Sequence, residues 1–302
     1  MNRTLACTGA LIAAAVTVSA PAEAADLRDL LRRSVDAERS LSYQGNKNLS
    51  RRVRQKLYTT NAQVFHSAPD RTLMVGLTGE LADARLLQLG RQHFLKPPRG
   101  EYRRTPLPLP LDNTELLLRN YRIRQMRVEP IAGRKTIMAA LLPRRPGNPH
   151  KLVWLDVKTA LPLKTQIRNH KGELTEESQF LTIQYNARFS GSEFTLPATA
   201  RRDEWPEVNP DFNVLRPRAN GIPPGYRLVE TSVRRLPGGH VVAFQRLSDG
   251  LNTLTVVQSR THPRLAAVAG SAATRGKVGE VQFVIFGEHD PVVLQRLANN
   301  LR

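Results

Sequence analysis

Cysteine is almost absent from this chain. Among 302 residues there is one, Cys7, inside an apolar stretch from Leu5 to Val18. A lipoprotein cysteine would follow such a run rather than sit within it. Without Cys7 the chain has no thiol, which excludes disulfides, zinc–thiolate sites and a cysteine nucleophile. Aromatic residues are few, at 6%. The apolar run is shorter than the about 20 residues a membrane-spanning helix needs. The seven histidines include no i,i+2 or i,i+4 pair, so no local metal pair is present. There is no Gly-x-Ser-x-Gly elbow, no phosphate loop and no Gly-x-Gly-x-x-Gly. Glu176 and Glu177 are adjacent on an expected strand and point to opposite faces, which makes them surface residues rather than an acid–base pair. The sequence therefore offers no catalytic, cofactor or metal site, and the chain reads as a non-enzyme.

What is present begins with the N-terminus. Met1-Asn2-Arg3 is a basic head, the apolar stretch follows, and Ala22-Glu23-Ala24 is a small-x-small exit. This layout reads as a secretory signal over 1–24, with a mature protein that starts near Ala25 and works outside the cytoplasm. Charge is one-sided: 45 Lys and Arg against 26 Asp and Glu, a net of +19, with 36 Arg to 9 Lys. Behind a leader this points to lipid head groups, lipopolysaccharide phosphates or an acidic protein partner, and away from nucleic acid. An Arg-rich composition with basic surfaces everywhere is the blander explanation. Between Arg85 and Arg145 there are 14 basic and 4 acidic residues. Arg99, Arg103, Arg104, Arg122, Arg124 and Arg127 are the candidates for an anionic ligand or partner surface, because guanidinium forks match carboxylates and phosphates.

The patterning predicts an α+β chain. Leu27, Leu30, Leu31 and Val35 mark a helix over 26–41. Short strands are expected over 42–49, 54–60, 63–67 and 71–77, with a hairpin over 85–95. The five prolines between Lys96 and Pro110 predict an extended loop. Asp112-Asn113-Thr114-Glu115 predicts a helix start. Hairpins follow over 121–142 and over 151–185, the latter turning at His170-Lys171-Gly172. Residues 25–200 thus form one large antiparallel sheet with covering helices. Residues 201–221, rich in proline, read as a linker. Residues 222–302 read as a small α+β domain that ends in a helix capped by Asp290 with Pro291 at its first position. Trp154 lies in the apolar strand Leu152-Val153-Trp154-Leu155. It reads either as a core residue or, together with Leu161, Leu163 and Ile167, as the lining of an apolar cavity able to take an acyl chain.

Several stretches resemble a known family in order. Trp154-Leu155-Asp156 through Thr159-Ala160-Leu161-Pro162-Leu163-Lys164 resembles the WLD-x-x-TGLPLK strand–turn–strand of the RseB/MucB sigma-E regulatory proteins, with Ala160 in place of the usual turn glycine. It is also similar to the lipoprotein carriers LolA and LolB. Ser40-Leu41-Ser42-Tyr43-Gln44-Gly45 looks like the family's first "YQG" strand. Ile222-Pro223-Pro224-Gly225-Tyr226, Ser248-Asp249-Gly250-Leu251 and Phe286-Gly287-Glu288 resemble its second-domain motifs. The resemblance implies a LolA-like open half-barrel followed by a small α+β domain. It also implies a periplasmic envelope-stress regulator that binds the periplasmic domain of a membrane anti-sigma factor. Lipoprotein acyl chains or lipopolysaccharide are implied as further ligands. A periplasmic lipid or lipoprotein carrier of LolA type is the alternative.

Overall fold

The computed structural model describes residues 21–53, 56–90, 92–105, 114–200, 206–236, 238–261, 272–287 and 289–302. The expected leader residues 1–20, the helix start at 112–113, Pro237 and Glu288 lie outside the described residues.

Two antiparallel sheets carry the chain. The first has eleven strands: β1 (Tyr43–Val53), β2 (Lys56–Ser67), β3 (Arg71–Gly76), β4 (Arg85–Leu89), β5 (Gln92–Lys96), β6 (Arg103–Thr105), β7 (Tyr121–Ile131), β8 (Arg134–Pro143), β9 (His150–Asp156), β10 (Pro162–Arg168) and β11 (Leu174–Tyr185). Their order is β6-β5-β4-β3-β2-β1-β11-β10-β9-β8-β7, so β6 and β7 are the free edges and the sheet is open. This is the open antiparallel sheet expected of residues 25–200. The second sheet orders β12 (Arg227–Arg235), β13 (Val241–Ser248), β14 (Thr253–Ser259), β16 (Val281–Gly287) and β15 (Ala272–Val278).

Helix α1 (Pro21–Ser40) lies on the first sheet against β7 and β9. Its Leu27, Leu30, Leu31 and Ala37 are buried with Tyr43, Val64, Leu141, Val153, Leu155 and Phe180. Burying a leucine side chain contributes about 1.5–3 kcal/mol, so this stripe fixes the helix on the sheet. The other side of β2–β5 is closed by residues 189–200, where Phe65, Leu73, Leu87 and Phe94 meet Phe189, Phe194 and Leu196. Helix α2 (Thr114–Asn120) precedes β7. Helix α3 (Pro291–Asn299) packs on the second sheet through Leu294, Leu297 and Ala298. Asp290 caps it, its carboxylate accepting the Val292 N–H at 2.9 Å, and Pro291 takes the first turn as expected.

Three local expectations are corrected. The two strands expected over 54–60 and 63–67 are one continuous strand, β2. Asn61 does not turn the chain there, because its carbonyl accepts the Leu77 N–H at 2.7 Å and Ala62 beside it is buried. Within the expected proline-rich loop, Arg103–Thr105 pair with β5 as a short edge strand; residues 106–110 lie outside the described residues. Strand β15 was not expected, since Ala272–Val278 has little apolar character. It forms because Gly276 leaves room for the Phe283 ring opposite it, where a Cβ would come within 2.4 Å.

The proline-rich stretch after residue 205 docks on the second sheet. Phe212 and Leu215 are buried in that core. The Gln258 side chain reads both backbone groups of Leu215, and Arg216 exchanges backbone hydrogen bonds with Arg302. Proline removes donors without preventing this, because the remaining N–H groups find partners.

Candidate functional site

Two places gather chemistry. The first is a cavity of about 290 Å³ on the first sheet, lined by Tyr43, Lys47, Leu49, Val64, Thr72, Met74, Leu86, Gln88 and His93. Strand register puts these on one face: Lys47 opposes Ala62, Val64 opposes Met74, Met74 opposes Leu86, and Gln88 opposes His93. It is the face that carries α1, whose Leu27, Leu30, Leu31 and Ala37 are buried in one cluster with Tyr43 and Val64. The helix packs most against β7 and β9, and the cavity extends from Tyr43 and Val64 across β1 to β5.

The cavity is apolar with a charged and aromatic rim. Leu49, Val64, Met74 and Leu86 give it an oily wall. Lys47 Nζ sits 4.2 Å above the Phe180 ring. Burial pushes this ammonium below its usual value, although Glu38 pulls it back up. His66 stacks on Tyr43 at 4.9 Å, and its Nδ1 lies 2.8 Å from Thr72 Oγ1. Its Nε2 is buried without a hydrogen-bond partner. Burial, then Lys47, lowers the His66 value, so the neutral ring is favoured.

The residues anticipated from sequence are distributed differently. Trp154, Leu161 and Leu163 are buried in the core and do not line the cavity; Ile167 is half-buried and does not line it either. Trp154 is thus the core residue of the two readings. Its Nε1–H donates to Glu129 Oε1, and Lys164 Nζ lies 5.1 Å from the ring centroid. The cavity residues were missed because they are scattered over five strands and only the register brings them together.

The six arginines do not form one patch along the sheet. Arg103 and Arg104 lie on edge strand β6, with Arg99 exposed in the turn before it, whereas Arg122, Arg124 and Arg127 lie on β7 at the opposite end of the strand order. Arg124 and Arg127 share a sheet face with Leu152 and Trp154 through Ala140 and Met138. Arg127 is paired with Glu129 at 3.1 Å.

The second place is the junction of the two sheets. Tyr121 at the start of β7 donates from its hydroxyl to Asp249 Oδ2 at 2.6 Å. Asn148, in the loop before β9, donates to the same oxygen at 3.0 Å, and Asn252 Nδ2 donates to the Tyr121 hydroxyl at 2.8 Å. Asp249 Oδ1 accepts the backbone N–H groups of Leu251 and Asn252. Asn120, ending α2, spans the Gly225 and Asp249 carbonyls, both at 2.8 Å. Each of these side chains finds partners, whereas the nearby Tyr226 hydroxyl is buried without one. Burial, then the charge of Asp249, drives the Tyr121 hydroxyl far above its ordinary value and holds its proton in place. Gly250 has φ +97, and a Cβ there would come within 2.2 Å of the Leu117 nitrogen, so the turn can meet α2 only as glycine. Asp249 and Gly250 lie in a stretch already singled out by its resemblance to a family motif; the partner Tyr121, 128 positions away, was not legible.

The Trp154–Lys164 motif builds a third, structural network. Asp156 is 1% exposed. Its Oδ2 accepts from Arg134 at 2.8 Å and from the Tyr185 hydroxyl at 3.1 Å, and its Oδ1 accepts the Lys158 and Thr159 N–H groups. Burial alone would raise this carboxyl, but those donors outweigh it and hold the value below the ordinary one. Burial pushes the Tyr185 hydroxyl up to about 12. Ala160 adopts φ 62 in the turn. Among the described residues no group of three His, Cys, Asp or Glu side chains can hold a metal ion. No helix there is long and apolar enough to cross a membrane.

Comparison with known proteins agrees with this architecture. Residues 95–207 match the MucB/RseB N-terminal domain. The sigma factor AlgU regulatory protein MucB of Pseudomonas aeruginosa is 27% identical over 82% of this chain and 79% of its own. The MucA/MucB complex structure from Pseudomonas aeruginosa superposes with a TM-score of 0.66 at 21% identity, covering 92% of this chain and 98% of the other. MucB in complex with MucA(peri) gives a TM-score of 0.65 at 23% identity over 91% and 97%. Residues 95–207 thus match a MucB/RseB N-terminal domain, and both sheets of this chain share the fold of MucB.

Proposed function

We propose that this chain is a non-catalytic periplasmic regulator that binds the periplasmic domain of a membrane anti-sigma factor. The observation that carries this reading is the likeness to MucB, solved in complex with MucA, over both sheets of this chain. The basic composition suits an acidic partner. Pull-down of membrane proteins with the full chain tests it. Recovery of an anti-sigma factor, with altered envelope-stress transcription on deletion, is the expected result. Recovery of none, with unchanged transcription, would overturn it.

The cavity supports the finer part of the reading, a lipid-bearing ligand such as a lipoprotein acyl chain or lipopolysaccharide. Its volume is close to the about 300 Å³ at which ligand pockets begin. Each methylene buried there contributes about 0.8 kcal/mol. Lys47 at the wall offers an anionic head group a desolvated cation. The same cavity favours, as a second reading, a lipid or lipoprotein carrier of LolA type. Mass spectrometry of native ligands separates them: co-purified lipid without anti-sigma contact points to the carrier.

A further inference from the structure

The junction holds two histidines that the proposed function does not use. His289 lies between β16 and α3, and its Nδ1 accepts the Asp290 N–H at 2.9 Å. A backbone amide can only donate, so the neutral ring carries its proton on Nε2. That nitrogen faces Asn148 Oδ1 at 3.3 Å and donates to it. Asn148 is thereby oriented with Nδ2 toward Asp249 Oδ2. The chain of bonds alternates between the sheets: His289 and Asp249 belong to the second, Asn148 and Tyr121 to the first.

We propose that this junction is an acid-sensitive joint that loosens when His289 takes a proton on Nδ1. The added proton replaces an acceptor with a donor that confronts the Asp290 N–H. The bond at the start of α3 is lost, the ring must turn, and Asn148 is released from its orientation toward Asp249. The groups that face His289 are Asp249 from the β13–β14 turn, Asp290 at the start of α3, His170 from the β10–β11 turn, Tyr226 just before β12, and Tyr121 behind Asp249. The two carboxylates favour the imidazolium. Burial opposes it more strongly, and His170 adds to that opposition, so the value falls below the ordinary histidine value. A base whose value is lowered on folding gives stability that is present when neutral and is lost as pH falls below its unfolded value, 6.5. The His170 Nε2 lies 3.4 Å from Asp290 Oδ2.

The test uses the full chain with Cys7→Ser and spin labels at Gln92→Cys and Thr231→Cys, two exposed positions on the first and second sheets. The inter-label distance distribution is read between about pH 7.5 and about pH 5. The expected result is a narrow distribution at the higher pH that gains a second population in acid. His289→Gln, which keeps one donor and one acceptor without titrating, should abolish the response. In the unsubstituted chain the His289 ring-proton resonance should titrate with the same midpoint as the distance change, a readout that stands if His289→Gln does not fold. A distribution unchanged by pH, a response retained in His289→Gln, or a midpoint that does not coincide would each overturn the proposal.

Discussion

The Tyr121 hydroxyl meets Asp249 Oδ2 at 2.6 Å, joining an edge strand of the first sheet to a turn of the second. Both side chains are buried, and Asn148 and Asn252 complete the arrangement. Tyr121→Phe removes the donor to Asp249 and the acceptor for Asn252. An unsatisfied buried group costs about 1–3 kcal/mol. Urea unfolding should show a loss of that size, and an unchanged midpoint would mean the network does not hold the sheets.

Gly250→Ala attacks the same junction through the backbone. The left-handed conformation alone costs a non-glycine residue about 1–3 kcal/mol, and the new Cβ would meet Leu117. Limited proteolysis should then cleave between the sheets faster than in the parent chain.

Ala160→Gly sets two effects against each other. Glycine relieves the strain of φ 62, about 1–2 kcal/mol. It also removes a fully buried methyl, worth about 0.8 kcal/mol. The net change in chemical unfolding should lie within about 1 kcal/mol, on the stabilising side.

Asp156 governs the acid limb of stability. Its carboxyl is held below the ordinary value of 3.8, so its contribution is present above that value and is lost as pH falls beneath it. Asp156→Asn should lower stability at neutral pH by about 1–3 kcal/mol. It should also flatten the fall in melting temperature across the acid range.

Met74→Trp tests the cavity. The indole would extend into the space among Leu49, Val64 and Leu86 and leave no room there for the proposed acyl chain. Loss of co-purified lipid with a stability change below about 3 kcal/mol is expected. Retained lipid would place the ligand elsewhere.

The arginines separate into two testable surfaces. Charge reversal at Arg122 and Arg124 on β7, compared with Arg103 and Arg104 on β6, should weaken partner binding and its salt dependence in one pair only. Equal effects would mean that the net charge, not a surface, drives association.

Much of this protein is determined by the sequence alone. The α1 stripe, the Tyr121–Leu142 and Leu161–Tyr185 hairpins and the Asp290-Pro291 helix start follow from local periodicity and capping, which act over a few residues. The order of the motifs was enough to indicate the resemblance to the MucB/RseB proteins. Tertiary structure decided the rest. Trp154 packed into the core with Glu129 and Lys164 against its ring, the cavity arose where the register of five strands brings their residues onto one face, and the arginines fell on opposite edges. The reason is physical: register and sheet order set contacts between residues far apart in the chain, as for Tyr121 and Asp249, and no local pattern encodes them.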